Sequence, residues 1–217
     1  DYFAPCGFRP AAFFHAYGLA ETCVFLSGGH SKLDEPTVVF AEKAALKENR
    51  LILCGSDSNA SPLVSCGYPL DDEKLVIVSP DTATECQPGE VGEIWFASPS
   101  VAQGYWKNPE LTNETFGARV AGSKEGPFLR TGDLGFVLQG ELFITGRLKD
   151  LIIIDGRNHY PQDVEQTIDT CHSAIRPGCS AAFSLLLDSD EQIGVTVEVR
   201  APFDGDVDGE VFTHPDY

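Results

Sequence analysis

Four charged residues sit beside glycines or aromatics in short stretches suited to holding a polar ligand. Glu21 ends Tyr17-Gly18-Leu19-Ala20-Glu21, and Asp133 lies within Arg130-Thr131-Gly132-Asp133-Leu134-Gly135. Arg147 follows Asp133 by 14 residues, and Lys149 stands two beyond it. A carboxylate such as Asp133 can accept from two vicinal hydroxyls at once, as acids do on the ribose of dinucleotides. The Tyr17 ring offers a stacking face, and the hard oxygens of Glu21 suit Mg²⁺ better than nitrogen or sulfur would. Each short stretch alone has a plainer reading: an aromatic-Gly pair closing a strand, a turn aspartate, a solvated lysine, and at Gly156 a simple turn glycine.

The spacing from Asp133 to Arg147 brackets a hairpin turn at Gln139-Gly140-Glu141, so two strands of one sheet would bring both residues to one place. Short β-rich segments at 75–78, 93–96 and 142–144, separated by Pro/Gly/Asp turns, predict a β-subdomain across 63–146. From 3 to 26 aromatic and apolar residues predict a strand, a loop and a strand or short helix, the last over Cys23-Val24-Phe25-Leu26. Between 30 and 62 periodicity is lost apart from 38–40, a short helical pattern over 41–49, and 51–53, which predicts a compact insertion or long loop. Beyond Lys149 the order is strand (151–154), helix (162–171) and two strands (181–187, 193–199), an α/β module. The boundary falls at 147–150, giving 1–148 and 149–217.

The chain has 217 residues, 42% of them hydrophobic, enough for a packed core. With 15 Lys+Arg against 33 Asp+Glu, its net charge of −18 disfavours nucleic acid and anionic lipid as partners. Seven cysteines show no CxxC pair, which argues against a zinc site or disulfide framework and favours a reducing, cytoplasmic setting. No apolar run approaches the roughly 20 residues of a membrane span. The start at Asp1 and the absence of methionine read as a piece of something longer.

The run GRLKDLIIIDGRNHYPQDVE at 146–165 resembles the hinge motif of adenylate-forming enzymes, and its wording is most similar to fatty acyl-AMP ligases. Residues 17–21 and 130–135 resemble two core motifs of the same family. Ser65-Cys66-Gly67, GEVGEI at 89–94, Gly104-Tyr105-Trp106 with Pro109, Glu110 and Thr112, and RPGCSAAF at 176–183 are further matches, each mainly structural. The resemblance implies an α/β fold: the C-terminal part of the large AMP-binding domain with its β-subdomain, then a hinge and part of a small domain. It implies ATP and Mg²⁺ as cofactors, a fatty acid as substrate, and an acyl-adenylate passed to the pantetheine thiol of an acyl carrier protein. By the same resemblance Tyr17 and Gly18 bind adenine, Glu21 contacts the magnesium, and Asp133 and Arg147 reach the ribose. Lys149 is then the hinge, and Gly156 lines the thiol tunnel. The 30–62 stretch falls where this branch carries an insertion that disfavours free coenzyme A.

Departures and rivals narrow this expectation. Ala20 replaces a hydroxyl residue common in relatives, so no hydroxyl contact to phosphate carries over. Neither the glycine- and serine-rich phosphate loop nor the late catalytic lysine is present, so the segment alone should be inactive. DGDVDG at 204–209 copies half an EF-hand loop, but Pro215 stands where a glutamate is needed. His15, His30, His159, His172 and His214 show no metal-binding pairing, and His159 reads as a loop residue shaping the tunnel. The alternatives are a fatty acyl-CoA ligase, with coenzyme A as acceptor, and a non-catalytic adenylate- or lipid-binding module.

Overall fold

The computed structural model describes residues 2–9, 12, 14–29, 36–57, 59–154, 156–187 and 190–200. The half EF-hand sequence, His30, His214 and Pro215 lie outside the described residues. By contact density the chain divides into two compact units, one formed by described residues of 1–151 and 155–158, the other by those of 152–154 and 159 onward. Both are mixed α/β with strands predominating, the class expected from sequence.

In the first unit the strands are β1 (Ala16–Tyr17), β2 (Ser27–Gly28), β3 (Val38–Glu42), β4 (Ala60–Val64), β5 (Lys74–Val78), β6 (Gly92–Ala97), β7 (Leu129–Leu138) and β8 (Glu141–Arg147), with helices α1 (Lys43–Leu46) and α2 (Pro109–Phe116). β5 to β8 form one antiparallel sheet in sequence order. β6 is internal and buried on both faces, and its alternating side chains feed two cores. Ile94 and Phe96 pack with Leu26 and Leu142, with Tyr17, Leu19 and Ile144 against them. Trp95 packs on the other face with Val78, Val120 and Phe128.

The β7–β8 hairpin follows the sequence reading. Leu138 pairs with Glu141 across the two-residue loop Gln139-Gly140, whose φ values of +53° and +87° are those of a turn matching the strand twist. Phe136 and Phe143 stack at 5.1 Å between centroids. Gly135 admits the Phe143 carbonyl, which an added Cβ would meet at 2.3 Å.

Three segments differ from the reading. The stretch expected to be loop or insertion contains an antiparallel ladder, β3 against β4 from Val38↔Val64 to Glu42↔Ala60, with α1 between. Its strands alternate weakly because the ladder is half-exposed and β4 carries Pro62. α2 stands where only β-segments were expected. Its octapeptide PELTNETF has no apolar stripe; the Asn108 side chain accepts from the Leu111 amide and Pro109 fills the first turn. The apolar run 23–26 forms no regular element: Cys23 and Val24 have φ of +53° and +79°, and Val24 is exposed while Leu26 is buried.

In the second unit the elements are β9 (Ile152–Ile154), α3 (Pro161–Cys171), β11 (Ile175–Leu187) and β12 (Asp190–Val199); β10 (Arg157–His159) lies where the chain passes between the units. Val164 and Ile168, one helical turn apart on α3, pack with Ile152, Ala182 and Ile193. β11 and β12 pair from Ser180↔Val197 to Leu187↔Asp190. Two α3 carboxylates grip β11: Glu165 accepts from the Ala182 amide at 3.0 Å, and Asp169 from Gly178 and Ser180.

Candidate functional site

Asp133 is the meeting point of three segments distant in sequence. It pairs directly with Arg147 across the β7–β8 ladder, and Arg147 Nε donates to Asp133 Oδ1 at 2.9 Å. Tyr17, from β1, donates its hydroxyl to Asp133 Oδ2 at 2.5 Å. Asp133 is only 7% exposed, whereas the Arg147 side chain is half in solvent. Burial pushes the Tyr17 phenol well above its usual range; the bond to Asp133 and its negative charge act in the same direction, partly offset by Thr131 and Arg147. The same bond to Asp133 raises the Arg147 guanidinium, so it carries its charge at every ordinary pH. A carboxylate has about four acceptor positions. Tyr17 and Arg147 each take one, which leaves capacity for a vicinal diol.

Two backbone irregularities aim this acid. Between the pairs Glu93↔Leu134 and Trp95↔Arg130 the strand β7 carries extra residues, so 131–133 bulge from the ladder. On the other side, Leu134↔Gly146 is followed by Gly135↔Ile144, which makes Thr145 the surplus residue of β8. Bulges of this kind redirect a side chain that regular pleating would send elsewhere.

Gly18 is required by the packing of its own loop. A Cβ there would stand 1.7 Å from the Val24 carbonyl oxygen, so the glycine admits the loop that returns over it. That loop is tied by Val24 N–H to Leu19 O at 3.0 Å and by mutual bonding of Leu19 and Thr22. It presents Glu21, whose backbone carbonyl accepts from the Ala102 amide at 2.8 Å. The Glu21 carboxylate accepts from the Tyr105 hydroxyl at 2.7 Å. Tyr105 packs edge-on against Phe116 of α2, with its amide bonded to Thr112. Burial raises the Tyr105 phenol, and its bond to Glu21 adds to this.

Tyr105, in a stretch expected to be mainly structural, also holds the Glu21 carboxylate through its hydroxyl. Glu21 Oε1 is held by Tyr105, and among the described residues no cluster of three or more His, Cys, Asp or Glu forms a protein cage. This donor set fits Mg²⁺, which commonly takes one or two carboxylates and fills its remaining positions with phosphate oxygens and water.

Lys149 is exposed in the 3₁₀ turn Leu148–Asp150, and no hydrogen bond joins it to the Asp133 group. Gly156 has φ of +74°, with no atom within 4 Å of an added Cβ, so its need for glycine is conformational. Nearby, Asn158 Nδ2 donates to Asn49 Oδ1 at 3.0 Å. All seven cysteines are free thiols. No described helix is long and apolar enough to cross a membrane.

Residues 3–106 match the family described as AMP-binding enzymes. The chain is 45% identical over 210 residues to the medium-chain-fatty-acid acyl-carrier-protein ligase JamA of Moorena producens, covering 95% of this chain and 35% of that protein. It is 43% identical over 212 residues to the putative fatty-acid CoA ligase fadD21 of Mycobacterium leprae, with 96% of this chain and 35% of that protein covered. A fatty acyl-adenylate ligase of L. pneumophila, solved with acyl adenylate and pyrophosphate, superposes with a TM-score of 0.66 at 38% identity, over 95% of this chain and 36% of that one. The chain thus spans about a third of the length of the curated relatives it matches.

Proposed function

We propose that this chain is a segment of an AMP-binding, adenylate-forming enzyme of the fatty acyl-AMP ligase kind, and that the complete protein activates a fatty acid with ATP and transfers it to the pantetheine thiol of an acyl carrier protein. In the first step a carboxylate oxygen of the fatty acid bonds to the α-phosphorus of ATP and pyrophosphate leaves. In the second the thiol sulfur attacks the acyl carbonyl, loses its proton, and AMP departs.

The observation that carries this reading is the convergence of Tyr17, Arg147 and the buried Asp133. Asp133 accepts both ribose hydroxyls with its remaining lone pairs, and Arg147 borders the same sugar. The Tyr17 ring lies against adenine, and Gly18 lets the loop carrying Glu21 close beside it. Glu21, steadied by Tyr105, would hold the Mg²⁺, which would supply neutralisation of charge on the ATP phosphates.

On the same reading 1–148 is the C-terminal part of the large domain, with 30–62 an insertion and 63–146 the β-subdomain, and 149–217 is part of the small domain. Lys149 is the hinge and Gly156 borders the thiol tunnel. The 30–62 segment falls where the fatty acyl-AMP ligase branch carries an insertion, which favours a carrier protein over free coenzyme A as acceptor. The free thiols suit a reducing cytoplasm.

Mass spectrometry of the complete gene product, incubated with ATP, Mg²⁺ and a panel of fatty acids, tests the proposal. The expected result is an acyl-adenylate that persists with coenzyme A and is consumed by a carrier protein. Consumption by coenzyme A would transfer the reading to an acyl-CoA ligase, and absence of adenylate with every acid would leave a binding module.

A further inference from the structure

Glu93 is a buried carboxylate that the proposed chemistry does not use. It is 1% exposed on β6, yet it lies beside the bulge that carries Asp133. Both its oxygens are engaged. Arg130 Nε and Nη2 donate to Oε2 at 3.1 and 2.9 Å, and the Gly132 amide donates to Oε1 at 3.2 Å. Arg130 is in turn held over the Trp95 ring, with Cζ 5.7 Å from its centroid.

The rest of the bulge is closed by Thr131. Its hydroxyl donates to the Ile94 carbonyl at 2.8 Å and accepts from the Asp133 amide at 3.1 Å. The amides of Gly132 and Asp133, which the bulge removes from the β6 ladder, are therefore both satisfied by side chains. Gly132 also has φ of +73°, a left-handed backbone state that glycine adopts without steric cost and that lets the chain turn out of the ladder just before Asp133.

We infer that Glu93, clamped by Arg130 and assisted by Thr131, is a positioning residue that fixes the direction of the Asp133 carboxylate towards a ribose diol. The inference rests on the ribose reading of Asp133. A two-pronged guanidinium–carboxylate pair with its carboxylate buried and its guanidinium partly covered restricts the Glu93 side chain, and the Gly132 amide bond carries that restriction to the peptide immediately before Asp133. A loosened bulge leaves Asp133 on Tyr17 and Arg147 but misdirects its free lone pairs. The loss then falls on ligands with both hydroxyls and spares those without them.

The test is binding of AMP and of 2′,3′-dideoxy-AMP to the complete gene product and its variants, by calorimetry. Glu93→Gln keeps the shape and one acceptor but sets an amide NH₂ against Arg130. Thr131→Val removes the hydroxyl without touching the ion pair, so it carries the test if Glu93→Gln does not fold. Either variant should weaken AMP by about tenfold while 2′,3′-dideoxy-AMP changes by less than about twofold. Equal weakening of both nucleotides, or unchanged AMP affinity, overturns the assignment. The Asp133→Ala protein is run alongside. If it keeps the preference for AMP over the dideoxy analogue, the ribose reading itself fails and takes the inference with it. If it loses that preference while the other two variants keep it, only the clamp is refuted.

Discussion

At the scale of single residues, the group around Asp133 combines burial with competing donors, and both have measurable consequences. Replacing Asp133 by Ala removes the acceptor common to Tyr17 and Arg147, and ATP affinity should fall by about 1–3 kcal/mol, the scale of a hydrogen-bonded charged group. An unchanged dissociation constant would count against the ribose role. Tyr17 gives a pH prediction. Its phenol is raised in the folded state, so its contribution to stability is complete below the unfolded value of about 10 and declines as pH rises beyond it. Wild-type protein should lose stability between about pH 10 and 11 by up to roughly 1 kcal/mol more than Tyr17→Phe, read from denaturant midpoints at each pH. Identical slopes for the two would show that the fold does not hold the phenol protonated. Motif resemblance singles out Tyr17, Glu21, Asp133 and Arg147, and the fold brings Tyr17 and Arg147 onto Asp133. Tyr105, which bonds Glu21, and Glu93, which bonds the amide of the residue before Asp133, are legible only as members of structural stretches, because what joins them to the site is hydroxyl and amide geometry created by the fold.

Among elements, the hairpin of β7 and β8 was legible because its Gln139-Gly140 turn has a local signature. The strands 75–78, 93–96 and 142–144 fall inside β5, β6 and β8 because they are apolar and buried. α2 was not legible, since a capped polar octapeptide has no periodicity to detect. The bulge at 131–133 was equally hidden: it depends on where β6 pairs, a long-range fact. The loop of residues 19–24 is the element whose fit is tightest. Gly18→Ala places a methyl against the Val24 carbonyl, and because the obstacle is backbone the loop has to shift. A stability loss of about 1–3 kcal/mol is expected from denaturant unfolding. A midpoint equal to wild type would mean that the loop moves freely and that the glycine serves something else.

For the whole molecule, charge is the dominant property. A net charge of −18 means that the folded chain works against its own repulsion. The exposed ion pairs Lys74–Glu125 and Arg176–Glu198 offset little of it. Raising NaCl from about 10 to about 150 mM shortens the screening length from roughly 30 to roughly 8 Å, so the melting temperature should rise. A fall on adding salt would show that attractive pairs outweigh the excess of carboxylates. The division into two units was suggested in the sequence by the change from a β-rich pattern to strand, helix and strands, although contact density sets the first residue of the second unit at Ile152.

The β7–β8 ladder is closed at the Gln139-Gly140 end, and Asp133↔Arg147 is its outermost pair at the other. A hairpin zips from its turn and frays from its mouth, so the two residues that meet at the site are the last rung to close and the first to open. Amide protons near Leu138 and Glu141 should exchange slowly, and those flanking Asp133 and Arg147 fastest along the two strands. A sugar bridging that mouth would act as a clasp, and its arrival would be recorded as slowed exchange at the open end while the turn stays unchanged.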